Sequence, residues 1–372
     1  MKKVLFITVT LEIGGVEQYI LRFITKYNIF IDKTILCKRG TAGVLEEKYK
    51  KQGANIKLLK LGWFSIIDYY KLYRYLKKEK FDVVCDFTGD FSGLVLFTAK
   101  LAGIKKRLAF YRESKYQFKS KWHKDLYGKA MNYLVLKNAS KILSNSNAAL
   151  NNFFPNWQKE NSFYQVIYNG IPNFDKITNA TRNKFRAQYN IGINDFLIGH
   201  VGRYSKQKNQ LQVLKIAEKL IKRNDNIYFF LCGRGIIKHL SPLVINLGLE
   251  KRIILDESRN DIDIVLQSLD AFSFPSIDEG NPNALLEAMS CGIPFVASNI
   301  EPIVETIPSE LEEYLTNPND LELAISLFEK IIDKKHNNDF NDLEKWTKSK
   351  YNLERNFNLF YKNIIEENFN ER

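Results

Sequence analysis

The feature that most constrains this chain is a strand–helix alternation that runs through its first half, stops, and restarts. The apolar run Val4–Val9 leads through a glycine-containing turn into an amphipathic helix over Val16–Tyr27. Short apolar strands follow at Lys33–Cys37, Ile56–Leu59, Val83–Cys85, Arg107–Tyr111, Lys141–Ser144 and Gln165–Tyr168. Helical segments such as Ile66–Lys80 and Ser92–Ala102 lie between them. Strands this short and this apolar fit a parallel sheet covered on both faces.

The alternation pauses over Asn169–Asn194, which is rich in Asn, Pro and Thr and carries a polar helix candidate at Thr181–Tyr189. It then resumes with strands at Phe196–Val201, Ile227–Cys232, Arg252–Leu255, Ala271–Phe274 and Pro294–Ala297. Helices are expected at Gln210–Arg223, Ile262–Ser268 and from Ala284 to Ser290. The reading is α/β: two Rossmann-like, doubly wound domains. Their expected bounds are 1–172 and 195–341, joined by a linker at 173–194. One or two helices at 342–372 are expected to pack back toward the first domain. A length of 372 residues suits two ordinary domains.

Lys plus Arg is 55 and Asp plus Glu is 42, a net charge of +13. Such a surplus points to an anionic partner without choosing among nucleic acid, membrane and phosphorylated substrate. No nucleic-acid-binding motif accompanies the charge. Cys37, Cys85, Cys232 and Cys291 are far apart, as are His123, His200, His239 and His336, so no metal site is expected. Val4–Val9 is too short for a signal segment and no run is long enough to span a bilayer. The expectation is a cytoplasmic protein with peripheral membrane contact open to it.

Four elements carry chemistry. The strongest is Glu279-Gly280-Asn281-Pro282-Asn283-Ala284-Leu285-Leu286-Glu287, after the strand ending at Phe274. It sets two carboxylates around a loop and a helix start, whose amides favour an anion. By itself this loop also reads as an acidic turn before a core helix. The second is Gly202-Arg203, with Lys208 five residues on, at the C-terminal end of a strand. Arg suits bidentate phosphate contact and Lys supplies a point charge; alone, the pair also reads as a basic surface loop. The third is Gly14-Gly15 after the first strand, lacking the third glycine of the dinucleotide fingerprint. The fourth is Gly233-Arg234-Gly235.

Taken together, these elements resemble the retaining glycosyltransferases of family four, which have the GT-B fold of two Rossmann-like domains facing a central cleft. The resemblance covers nearly the whole chain. It implies a nucleotide-diphosphate sugar, UDP-linked by preference, held by the C-terminal domain. It implies a saccharide or polyprenyl-linked saccharide acceptor held by the N-terminal domain, in bacterial surface polysaccharide synthesis. By position, Arg203 and Lys208 would bind the diphosphate, Glu279 the transferred sugar and Glu287 the ribose. Gly15, Gly280, Asn281 and the backbone of Asn283–Leu286 would complete the donor site. No cofactor or metal is implied. Where many members place a histidine, this chain has Arg112-Glu113; both become candidates for acceptor or sugar contact, though a salt-bridged strand end fits equally. Asn169, in Asn169-Gly170-Ile171 at the domain junction, is a third candidate for that contact, though it reads more as a hinge than a ligand site. Two alternatives on the same fold are a sugar-nucleotide 2-epimerase and a non-catalytic subunit. The scarcity of motif histidines argues against the first, and intact Arg203, Lys208, Glu279 and Glu287 against the second.

Basic and aromatic residues interleave at Trp63–Lys78 and, in a second cluster, at Lys105-Lys106-Arg107 with Lys115–Lys129. Such clusters suit an anionic membrane interface. For the first, an ordinary helix with lysine stems lying over a core is the preferred reading.

Overall fold

The computed structural model describes residues 1–112, 122–160, 162–333 and 337–366. The chain divides into two compact units, one formed by Met1–Gly170 with the segment from Glu354, the other by Ile171–Leu353.

The first unit is built on a parallel sheet of β1 (Lys2–Thr8), β2 (Ile31–Cys37), β3 (Asn55–Leu58), β4 (Val83–Asp86), β5 (Lys106–Tyr111), β6 (Lys141–Ser144) and β7 (Tyr164–Val166), in the order β3-β2-β1-β4-β5-β6-β7. Val4 to Ile7 and all of β4 and β5 are buried, as strands covered on both faces must be. The C-terminal helix Leu353–Ile365 packs here. Phe357 stands edge-on to Tyr19 at 5.2 Å, and Phe360 lies 4.6 Å from Phe23.

The second unit repeats the plan with β8 (Phe196–Val201), β9 (Ile227–Cys232), β10 (Ile253–Asp256), β11 (Ala271–Phe274), β12 (Phe295–Ser298) and β13 (Leu315–Thr316), in the order β10-β9-β8-β11-β12-β13. From β8 the chain winds outward to β9 and β10, then returns to β8's other side as β11. That reversal opens a crevice beyond the strands' C-terminal ends, the usual place for a ligand in such a sheet. The helix Gln210–Arg223 buries Val213, Ile216, Ala217 and Leu220 on one stripe against the sheet and ends in Lys222 and Arg223.

Two expected boundaries change. The segment 173–194 is part of the second unit, not a free connector. Phe185 and Ile191 lie in that unit's core, and buried Arg186 reaches Asp270 at 3.1 Å. Its polar composition hides this because the buried cation is paired inside the fold. The two C-terminal helices also part company. Leu343–Lys350 stays with the second unit through buried Leu343, while Tyr351 just beyond it donates to the Thr306 carbonyl at 3.1 Å. Only the last helix joins the first unit.

Candidate active site

The β8–β11 reversal point is where the second unit gathers charge. Lys208 Nζ donates to Glu279 Oε1 at 2.6 Å, linking residues 71 positions apart. The lysine side chain is about one-fifth exposed and the glutamate less than one-tenth. The ammonium also lies over the Phe274 ring, 4.9 Å from its centre. Glu279 is the only hydrogen-bonding partner that Lys208 Nζ has among the described residues.

Local chemistry fixes both loops. Ser205 Oγ accepts from the Lys208 amide at 3.3 Å, closing a serine turn. Asn209, in the left-handed region at φ 54°, donates from Nδ2 to the carbonyls of Pro275 (3.1 Å) and Pro318 (2.9 Å). The Ile277 amide donates to the Gln207 carbonyl at 2.7 Å. The loop after β8 is thereby tied to the loop after β11.

Beneath them lies a layer that the motifs do not reveal. His200, wholly buried in β8, contacts the Ser273 carbonyl through Nδ1 at 2.9 Å and the Gln210 amide nitrogen through Nε2 at 3.3 Å. Burial lowers its pKa to about 4, and nearby Lys208 acts in the same direction. The ring is therefore neutral, with Nδ1–H donating and Nε2 accepting from Gln210. Gln210 also donates to the Arg203 carbonyl at 2.9 Å and accepts from the Ser205 amide at 3.3 Å. A histidine inside an otherwise apolar strand was the one signal available in advance.

Arg203 is exposed, and its guanidinium has no partner among the described residues. Its loop is pressed against the next strand end. At Gly233, φ is +152° and an added Cβ would stand 2.2 Å from the Gly202 carbonyl oxygen, so no other residue fits. The Gly235 amide donates to Glu257 Oε2 at 3.0 Å.

Glu287 lies half-buried in the helix Asn283–Ser290. Of the four amides expected to cradle phosphate, two are used internally. Asn283 donates to the Asn281 carbonyl at 2.9 Å and Leu286 to that of Pro282 at 3.0 Å. Ala284 and Leu285 supply the first-turn donors. Gly280 and Asn281 are half-buried in the preceding loop. Asp261, which has acidic spacing with Asp263, is held by Arg259 at 2.8 and 2.6 Å.

In the first unit, Gly15 opens the helix Gly15–Lys26. The first turn already holds a carboxylate: Glu17 Oε1 accepts from Thr8 Oγ1 at 3.0 Å, and a Cβ at Gly14 would lie 2.4 Å from Glu17 Oε2. An anion approaching Gly15 meets that charge. Arg112 and Asn169 are brought together, with Nη2 donating to Oδ1 at 2.6 Å. Both are buried, and the guanidinium lies 3.9 Å from the centre of the Tyr19 ring. Burial lowers the Arg112 pKa to about 10. Glu113 lies outside the described residues.

Comparison with known proteins adds the following. Residues 13–173 match the model of the Glycosyltransferase Family 4 and residues 181–352 that of the Glycosyl transferases group 1. A curated relative from Escherichia coli, the UDP-Gal:alpha-D-GlcNAc-diphosphoundecaprenol alpha-1,3-galactosyltransferase, is 30% identical over 76% of this chain and 73% of its own. The capsular polysaccharide biosynthesis glycosyltransferase CapH of Staphylococcus aureus is 29% identical over 92% and 94%. Among solved structures, Anabaena Alr3699/HepE in complex with UDP superposes with a TM-score of 0.81 at 17% identity, covering 97% of this chain and 99% of that one.

Proposed function

Because this chain belongs to the retaining glycosyltransferases of family four and has the GT-B fold, we propose how its residues divide the work of sugar transfer. The donor is a UDP-hexose or UDP-N-acetylhexosamine. The acceptor is a saccharide carried on a polyprenyl diphosphate, in the assembly of a bacterial surface polysaccharide. The E. coli and S. aureus relatives support this by what their names state they do. Those names are of transferases, so the epimerase reading is not favoured. Peripheral contact with the inner membrane face follows from a lipid-borne acceptor.

The observation that carries the residue assignment is the 2.6 Å contact of Lys208 with Glu279 at the β8–β11 reversal. It sets a cation beside a carboxylate, as a ligand with an anionic leaving group joined to a hydroxyl-rich ring requires. In the reaction the bond from the anomeric carbon to the phosphate oxygen breaks, and the acceptor oxygen bonds to that carbon on the same face. The acceptor's proton passes to the departing phosphate. Positive charge grows on the sugar beside Glu279. Negative charge grows on the diphosphate beside Lys208, Arg203 and the first-turn amides of Ala284 and Leu285. Glu287 holds the ribose hydroxyls. Arg112, with Asn169 fixing its guanidinium, stands on the acceptor's side.

A panel of nucleotide sugars tested by thermal shift, followed by donor hydrolysis, checks this reading. UDP-sugars should raise the melting temperature and be slowly hydrolysed. Stabilisation by none of the UDP- or GDP-sugars defeats it.

A further inference from the structure

The segment Trp63–Lys78 holds a helix that lies over the core, yet much of its apolar surface stays outside it. Of the helix Ile66–Glu79 only Leu72 and Leu76 are fully buried, with Tyr69 and Tyr75 packed half-buried against the core. Phe64 is 68% exposed, Ile66 85%, Ile67 69% and Tyr70 59%. Four large apolar side chains thus stand in solvent at one end of one helix. Isolated exposed leucines or isoleucines need no explanation, but a cluster does.

Helical spacing places Ile67, Tyr70, Lys71, Arg74, Lys77 and Lys78 along one exposed face, in steps of three or four residues from Ile67 to Tyr70 and Lys71, on to Arg74, and on to Lys77 and Lys78. Its first turn is apolar and the rest basic, over about 18 Å at 1.5 Å per residue. The two carboxylates of the helix Ile66–Glu79 are turned to other partners. Asp68 accepts from the Gly62 amide at 3.0 Å and Glu79 from Lys3 at 2.8 Å. The tip is fixed rather than loose: Ser65 caps the helix, and Phe64 packs edge-on against Tyr127 at 4.9 Å. A second copy would bring the same cations against themselves. A nucleic acid would engage the cations but leave the aliphatic tip in water. An anionic lipid surface satisfies both ends at once.

We propose that this face docks the protein onto an anionic membrane, with Phe64, Ile66, Ile67 and Tyr70 entering the headgroup–acyl boundary and Lys71, Arg74, Lys77 and Lys78 lying against the headgroups. The proposal deepens the membrane contact inferred from the acceptor and names where it is made.

Flotation of the full-length protein with vesicles tests it, using phosphatidylglycerol–phosphatidylcholine mixtures against phosphatidylcholine alone. Wild type should float with the anionic vesicles at low salt and be released as salt rises. The triple variant Phe64→Ser, Ile66→Ser, Ile67→Ser should lose at least about tenfold in partitioning, since three exposed apolar side chains no longer leave water. The variant Lys71→Gln, Arg74→Gln, Lys77→Gln, Lys78→Gln should lose a comparable amount and its salt dependence. Wild type that fails to float, or a triple variant that floats like wild type, overturns the proposal. So does concentration-dependent dimerisation abolished by the same triple variant, which would make the face a contact between copies. The UDP-induced thermal shift should persist in both variants. If UDP gives no shift while flotation behaves as described, the donor reading fails and the docking face stands.

Discussion

The second unit holds Lys208 against Glu279 at 2.6 Å beyond β8 and β11; the first holds Lys38, just past β2, 4.0 Å from Asp86 at the end of β4. The sheets share a strand order, and each places a lysine and an acid near its reversal point. The difference is in what else the lysine does. Lys38 Nζ donates to Thr88 Oγ1 at 2.9 Å and to the Phe91 carbonyl at 2.7 Å, and Asp86 Oδ1 is taken by Thr88 at 2.8 and 2.6 Å. Burial lowers the Lys38 pKa. That cation is committed to holding a loop. Lys208 has a carboxylate and a ring, keeps an exposed edge, and stands in the same crevice as Arg203, whose guanidinium has no partner among the described residues. Position at a sheet's reversal point is therefore not enough to make a site; spare hydrogen-bonding capacity is what separates the two.

The largest effect that would break this contrast is at Lys208. Lys208→Ala should weaken UDP binding and slow transfer at least tenfold, a charge-assisted contact being worth about 1.5–3 kcal/mol. It should also lower stability, because nearly enclosed Glu279 loses the cation beside it. Pairing it with Glu279→Gln should restore the melting temperature without restoring activity. Lys38→Ala should do the opposite, costing about 1–3 kcal/mol of stability through the acceptors it abandons while UDP affinity stays the same. Titration calorimetry and melting of the two variants decide it. Equal loss of UDP affinity in both would erase the distinction drawn between the units.

Much of this was open to reading in the sequence. Every strand expected in the two alternating runs is present, within one or two residues, because a buried parallel strand must be apolar along its length. The Arg203, Lys208, Glu279 and Glu287 elements are visible because glycines and charges at strand ends break that apolar pattern. What stayed hidden depends on three-dimensional partners. β13 is two residues long and has no pattern to detect. The Lys115–Lys129 stretch reads as a basic surface, yet Tyr127 within it is buried and stacks on Trp63 at 5.0 Å. The charges of Lys119, Lys121 and Lys124, to which membrane binding was also open, have no described side chains. At Trp63–Lys78 the period shows an amphipathic helix but not how narrow its buried stripe is. Two core leucines leave the aromatic and aliphatic tip outside.

A smaller effect sharpens the contrast through pH. Burial depresses the His200 pKa from 6.5 to about 4, so between these values the unfolded chain binds more protons than the folded one. Stability must then rise with pH across that window and fall as pH drops from 6.5 toward 4. At about 1.4 kcal/mol per pKa unit, the loss approaches about 3 kcal/mol, an order-of-magnitude figure. His200→Gln keeps a side chain that can bond to Ser273 and Gln210 and has no proton to gain. Its melting temperature should vary less over the window than that of wild type, even if lower at pH 7. Parallel pH profiles for the two proteins would show that other groups govern acid stability and that the layer under the donor loop is not proton-sensitive.

The smallest expected effect is none at all, on adding a chelator, and the Lys208–Glu279 contact makes it a demanding expectation. A nucleotide diphosphate leaving a sugar carries at least two negative charges. In the proposed assignment, Arg203 would answer one of them fully. Lys208 would answer another only while sharing its own charge with Glu279, which it contacts at 2.6 Å. The remainder falls to the helix that begins at Asn283, whose N-terminus is equivalent to about half a positive charge. Its free first-turn amides are Ala284 and Leu285, not all four of the turn. The sum is close to balance without a divalent ion, and Glu279 should swing toward the sugar's hydroxyls as the donor arrives, releasing Lys208 to the phosphate. Transfer rates in excess EDTA should equal those in its absence, and Glu279→Gln should bind UDP no more weakly than wild type, since it removes Lys208's competitor. Loss of transfer on chelation, restored by magnesium or manganese, would mean that these groups do not suffice and that the second unit's advantage over the first lies in a metal it recruits.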